Sequence, residues 1–205
     1  MKIIIGREET KMENTIFELI ENILGKDENL RYDSYITLLE MTEEKVDWVY
    51  EVWDILIDNI NHKNNHTRSI IGQLICNLTK SDYENRIQKD FSKLINLTKD
   101  KMFVTARHCL KSIWKIGLTG QDNLIIVLDG LSERYINCTE EKNCTLIRAD
   151  IIQDFKYLYK KLKDERISEI AALLIEKEVD EKYKKKYLSI WKKKDDAKSD
   201  CFWVP

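Results

Sequence analysis

Proline is all but missing from this sequence: its single copy, Pro205, is the last residue. Glycine occurs six times in 205 residues. β-Sandwiches and barrels consume many turn residues, and α/β folds carry Gly-rich loops, so the shortage favours helices joined by polar turns. No run of ~18 apolar residues is present to span a membrane. The opening Met1-Lys2-Ile3-Ile4-Ile5-Gly6 has three apolar residues in a row before charges begin, which does not read as a secretory signal. The five cysteines (Cys76, Cys109, Cys138, Cys144 and Cys201) form an odd set without a CxxC pair. That usage implies reduced thiols and a cytoplasmic setting. Also missing are a Gly-rich phosphate loop, a nucleophile elbow and a His-Glu-x-x-His helix. The sequence thus assigns no catalytic residue, no metal ligand and no cofactor.

What is present is helical patterning. Hydrophobic residues make up 43% and charged residues 34% of the chain, enough for a core together with much solvated surface. Apolar stripes at helical spacing predict ten helices in five pairs. First helices are expected near Glu13–Leu24, Glu43–Ile60, Tyr83–Leu97, Asp122–Ile136 and Asp164–Glu178. Second helices are expected near Leu30–Met41, Thr67–Lys80, Val104–Gly117, Thr145–Leu162 and Glu181–Lys193. Thr42 with Glu43-Glu44-Lys45 forms part of a capping box, Ser81 with Glu84 a full one, and Gly25, Gly117 and Gly120 stand where helices should stop. The division that follows is a short extension over 1–12, one repeat domain over 13–194 and a tail over 195–205.

Four arginines, Arg31, Arg68, Arg107 and Arg148, stand near the starts of the second helices, spaced 37, 39 and 41 residues apart. Three positions on lie Ser34, Ile71, Leu110 and Ile151. Seven on lie Leu38, Ile75, Trp114 and Phe155, and ten on lie Met41, Leu78, Gly117 and Leu158. Steps of three, four and three keep one helical face inward. A fifth copy starts at Lys184, with Tyr187 and Trp191 in register, and reads as a terminal cap. The stretch Val104-Thr105-Ala106-Arg107 to Ile116-Gly117 resembles the second helix of a HEAT repeat, and Ile147-Arg148-Ala149 resembles the same start. The resemblance covers about Glu13 to Lys193. It implies an all-α, right-handed α-α superhelix, a HEAT-like (armadillo-like) solenoid of about five helical hairpins. Two departures stand out. The first helices lack the Pro common in such repeats, and the Asp that usually pairs with the Arg, six residues before it, is replaced by Gly25, His62, Lys101 and Lys142. Asp27 and Asn64 are the nearby substitutes.

The net charge of −2 conceals a segregation. The second helices and their edges collect eighteen Lys and Arg against five acids, whereas the first helices collect twenty acids against seven bases. Second helices line the concave face in HEAT-like stacks, so that face is expected to be basic and to attract polyanions. The partner-binding residues expected there are Arg68, Arg107, Lys111, Lys115 and Arg148, although a periodic arginine also suits a scaffold role. The function that fits is a non-enzymatic interaction scaffold holding an acidic protein segment or another polyanion. The alternative is a nucleic-acid-binding protein related to the HEAT-like glycosylases that excise alkylated bases. For that alternative Trp114, Trp53-Asp54 and Trp191 are the aromatic candidates, and Trp114 sits at a core position of the repeat.

Other groupings carry less chemistry. His62 and His66 have a metal-compatible spacing but fall in an inter-helix loop without a third ligand. Cys138 and Cys144 match no zinc signature. Adjacent His108 and Cys109 diverge by ~100° on a helix, which leaves Cys109 as a core residue. The tail residues Phe202-Trp203-Val204 fit packing on the last repeat, capping it or anchoring a partner, with self-packing the favoured reading.

Overall fold

The computed structural model describes residues 15–193; the extension, the first residues of the repeat domain and the tail with Cys201 and Phe202-Trp203-Val204 lie outside them. Among the described residues the chain is all-helical, without a strand. A helix over 15–24 (α1) is followed by α2 (Glu28–Met41), α3 (Val49–Asp58), α4 (Asn65–Leu78) and α5 (Arg86–Leu97). Then come α6 (Phe103–Ile113), α7 (Gln121–Asn137), α8 (Cys144–Leu162), α9 (Glu165–Glu176) and α10 (Glu181–Lys192). Short 3₁₀ turns, Thr79–Ser81 and Ile116–Leu118, follow α4 and α6.

Packing follows chain order. Each even-numbered helix lies on the next: α2 on α4, α4 on α6, α6 on α8 and α8 on α10. The odd-numbered α5, α7 and α9 pack likewise, and each of α3, α5, α7 and α9 also meets the helix after it. The repeat register accounts for the core. Ile71, Ile75, Leu78, Leu110, Ile151, Phe155, Leu158 and Tyr187 are all buried, joined from the first helices by Trp53, Leu56, Leu94, Val127 and Leu174. Helix α4 is enclosed nearly all round, and Gly72 sets how closely its neighbours approach. A methyl group there would lie 2.7 Å from Leu97 Cδ2 and 3.3 Å from Cys109 Sγ.

Three of the four periodic arginines tie their helix to the chain before it, Arg31 and Arg148 to the end of the preceding helix or the residue just past it and Arg68 to the loop between α3 and α4. Arg31 donates to the carbonyls of Ile23 (3.3 Å) and Gly25 (2.6 Å). Arg68 donates to His62 O (2.8 Å) and Lys63 O (3.2 Å), and Arg148 to Tyr135 O (3.1 Å). A cation suits a helix C-terminus, where carbonyls lack partners. The backbone carbonyls of Gly25 and His62, at the position six residues before the arginine, thereby take the hydrogen bonds for which the sequence resemblance expects an Asp. Asp27 and Asn64 do not substitute for it; they cap α2 and α4, accepting the N–H groups of Asn29 and Leu30 and of His66 and Thr67.

Helix starts differ from the sequence reading in two places. α3 begins at Val49 rather than Glu43, because Thr42 closes α2 by donating to Leu38 O and Leu39 O instead of opening a new helix. α5 begins at Arg86, after Asn85 in a left-handed conformation (φ 54°). That turn brings the Asp82 carboxylate, not Ser81, to the free N–H groups of Arg86 and Ile87, at 3.0 and 2.8 Å. Ser81 instead accepts from the Val46 N–H. Gly120 starts α7 rather than stopping a helix, with φ 154° that disfavours a side chain.

Candidate functional site

The even-numbered helices frame a groove of about 930 Å³, at the upper end of the range typical of ligand sites. α4 and its 3₁₀ turn contribute Cys76, Asn77 and Lys80, and the loop after α2 contributes Glu43 and Glu44. α6 supplies Arg107 and Lys111, and the turn after it Trp114, Lys115 and Leu118. From α8 come Asp150, Asp154, Tyr157, Lys160 and Lys161, and from α10 Lys186 and Ile190. Seven cationic side chains therefore face four carboxyl groups.

Of the five residues expected to bind a partner, Arg107, Lys111 and Lys115 line this groove and Arg68 and Arg148 do not. Arg68 is buried and holds Asp100 in a two-bonded ion pair at 2.6 and 2.9 Å. Burial alone would raise the Asp100 pKa, but Arg68 and the Met102 N–H hold it below the ordinary carboxylate value. Arg148 pairs with the buried Glu178 at 2.9 Å and lies over the Tyr135 ring. Both are thus engaged between packed helices. Arg107 also pairs with a carboxylate, Asp150, through bonds of 2.6 and 3.1 Å, yet stays 38% exposed on the groove wall.

Lys115 donates to Asn77 Oδ1 at 2.6 Å, and Asn77 donates to Thr42. Burial lowers the Lys115 pKa, and Lys80 presses in the same direction. Lys111 is exposed and, like Lys161 and Lys186, has no ion pair among the described residues. Several of these lysines sit at helix C-terminal ends, with Lys111 in the last turn of α6 and Lys160 and Lys161 in that of α8. There they also complement the helix dipole.

Two groove features escaped the sequence reading. Trp114 is half-buried rather than a core residue, because α6 ends at Ile113 and the chain tightens into the 3₁₀ turn, which takes Trp114 out of the inward register. Its ring stands against that of Tyr157, with centroids 5.1 Å apart and planes tilted by 39°. Asp154 is the second feature. It is 1% exposed, and its Oδ2 has no hydrogen-bond partner. Burial pushes its pKa well above the ordinary carboxylate value, Asp150 adds to the rise, and Lys111 opposes it. A constant offset links these residues. Arg107 meets Asp150 and Trp114 meets Tyr157, each pair 43 positions apart, and Lys111, 43 positions before Asp154, is close enough for its charge to lower the Asp154 pKa. The pairs recur in the same order along both helices, so α6 and α8 run in the same direction.

The remaining candidates lie elsewhere. Trp53 is fully buried and donates to Asp90 Oδ2 at 3.0 Å, while Asp54 is exposed. Trp191 is half-buried beside Tyr159. His62 accepts from the Asn64 N–H, whereas His66 lines a separate apolar pocket of about 270 Å³ with His108, Tyr32, Tyr35 and Val104. Among the described residues no three His, Cys, Asp or Glu side chains are grouped so as to hold a metal ion. No helix among them is long and apolar enough to cross a membrane. Cys76, Cys109, Cys138 and Cys144 are all free and buried. A comparison with protein-family models finds no match, and neither does a comparison with curated proteins.

Proposed function

We propose that this chain is a HEAT-like solenoid acting as a non-enzymatic scaffold that holds a polyanion in the groove formed by its even-numbered helices. The order of the helix contacts and the shared direction of α6 and α8 support the solenoid reading, because stacked hairpins of one repeat place every second helix parallel. The observation that carries the binding role is the convergence of Lys80, Arg107, Lys111, Lys115, Lys160, Lys161 and Lys186 on one groove. Like charges drawn from four elements raise the local potential, and they are favourable when an anion neutralises them. An acidic protein segment in a cytoplasmic setting is one such partner. Nucleic acid is the second reading, favoured by the Trp114–Tyr157 pair on the groove wall.

The test uses fluorescence anisotropy with labelled poly-glutamate, single-stranded DNA and duplex DNA across a salt series. Binding should fall steeply as salt rises. Lys161→Glu combined with Lys186→Glu should weaken it by about tenfold or more while leaving the melting temperature unchanged, since neither lysine holds an ion pair among the described residues. Unchanged affinity in this double variant would refute the groove. Arg68→Glu is not a useful probe, because Arg68 serves the stack.

A further inference from the structure

Asp154 is an anomaly in a basic groove. Two buried side-chain polar atoms among the described residues have no hydrogen-bond partner, Tyr135 Oη and Asp154 Oδ2, and only Asp154 borders the groove. Nearly all buried polar groups are satisfied, so an orphan on the wall of a cleft points to a partner brought by a ligand. The groups facing Asp154 are Asp150 one turn earlier on α8 and Lys111 on α6, with the thiols of Cys76 on α4 and Cys109 on α6 nearby. None of them supplies the missing donor. A ligand seated in the groove would carry it.

Along α6 and α8 the groove presents, in order, the Arg107–Asp150 pair, Lys111 opposite Asp154, and Trp114 against Tyr157. These rungs succeed each other at about 4.5–6 Å, close to one helical turn each. An acidic peptide satisfies the lysines, but it brings further carboxylates toward Asp154, Glu43 and Glu44 and makes no use of a paired aromatic surface. A nucleic-acid strand alternates phosphates with flat rings that bear N–H donors. Asp and Glu carboxyls accept from base amino groups, and aromatic side chains stack on bases. In a duplex the base faces are occupied by their neighbours, so only an unpaired base can use the aromatic pair.

We infer that the α6–α8 wall of the groove is a slot for an unpaired base of a single-stranded nucleic acid, stacked on Trp114 and Tyr157, with an N–H donated to Asp154 and flanking phosphates on Lys111 and Lys161. The inference rests on the polyanion reading above and narrows it to one class. Its test compares labelled oligo(dC), oligo(dA), an abasic phosphodiester of the same length and poly-glutamate by anisotropy at low salt. The base-bearing strands should bind at least about fivefold tighter than the abasic one. Trp114→Ala or Asp154→Leu should shrink that ratio toward one, and Lys111→Glu should weaken all the phosphodiesters alike. Equal affinity for abasic and base-bearing strands in the unaltered protein would overturn the base slot while leaving the polyanion reading intact. Tighter binding of poly-glutamate would overturn it in favour of an acidic segment, and failure of all four probes would remove both readings. The abasic comparison needs no variant, so it holds even if Trp114→Ala does not fold.

Discussion

Replacing Asp154 by Leu should make the protein more stable, and by an amount that grows with pH. The carboxyl is 1% exposed and its Oδ2 is unpartnered, so the folded state carries a desolvation cost of about 1–3 kcal/mol that an apolar side chain of similar size removes. Burial and Asp150 raise the folded-state pKa well above the unfolded value, while Lys111 offsets only part of the rise. In the window between the two pKa values the folded state binds the extra proton. The share of wild-type stability tied to this titration is therefore fully present below pH ~4 and falls by up to about 1.4 kcal/mol per pH unit as pH rises toward the folded pKa. Asp154→Leu lacks this titration, and all other groups cancel in the comparison. Urea unfolding followed by far-UV circular dichroism at several pH values from 4 to 8 measures the gap. It should already be present near pH 4, where the neutral carboxyl is unpartnered, and should widen by a further ~1–3 kcal/mol at neutral pH, a shift of several degrees in melting temperature for a chain of this size. A gap that stays constant across this range, or a variant less stable than wild type at pH 7, would refute the picture of Asp154 as a buried, unpaired acid.

Asp100→Asn should cost about 2–4 kcal/mol, since it strands the Arg68 guanidinium in a buried site with only the His62 and Lys63 carbonyls; a loss below ~1 kcal/mol in urea unfolding would mean the pair behaves like a surface bridge. The Asp100 pKa is lowered in the fold, so its contribution is present above the unfolded value of about 4, and the difference between wild type and this variant should shrink as pH falls through the folded pKa. Gly72→Ala should cost about 1–3 kcal/mol by thermal melting, because the added methyl group must displace Leu97 and crowd Cys109. The thiols give a fourth check: burial raises Cys76 and Cys138 to about 12, and in a Cys201→Ser background a thiol reagent at pH 8 should label the native chain slowly and the unfolded chain at once.

The helices were legible in the sequence because the core is built from simple stripes. Ile71-Ile75-Leu78 and Ile151-Phe155-Leu158 keep the three-and-four spacing that burial demands, and all six residues are buried. The same periodicity misplaced Trp114, since it assumes that α6 continues one residue beyond Ile113 with an unchanged register. Helix starts were less legible. Ser81 and Glu84 fit a capping pattern, but the left-handed Asn85 moved the cap to Asp82, and a local motif does not encode that turn. Asp154 was counted only as one acid among the bases of a second helix. Its position between Ile151 and Phe155 placed a carboxyl in an apolar stripe, and the 43-residue offset from Lys111 was present in the numbering, but whether a donor would reach it depended on tertiary packing.

The charge segregation read from the sequence overstates the groove, and the reason lies in the chemistry of the two cations. Arg31 and Arg148 are spent on carbonyls at or just past the end of a preceding helix and Arg68 on carbonyls of the loop before its own helix, and Arg68 and Arg148 also on buried carboxylates. A planar guanidinium can satisfy a carboxylate with two bonds while reaching a carbonyl as well, which suits a joint between packed helices. Lysine offers a compact charge on a flexible stem and serves that joint poorly, so the stack leaves Lys111, Lys161 and Lys186 to the groove. Arg107 stands between the two roles. It meets Asp150 as a joint across α6 and α8 and remains 38% exposed on the groove wall. A ligand phosphate that drew Arg107 away from Asp150 would leave a second carboxylate unpaired beside Asp154. An anion should therefore settle on Lys111 and Lys161 in preference to Arg107, and Arg107→Lys should alter the stability of the α6–α8 contact more than the salt dependence of binding.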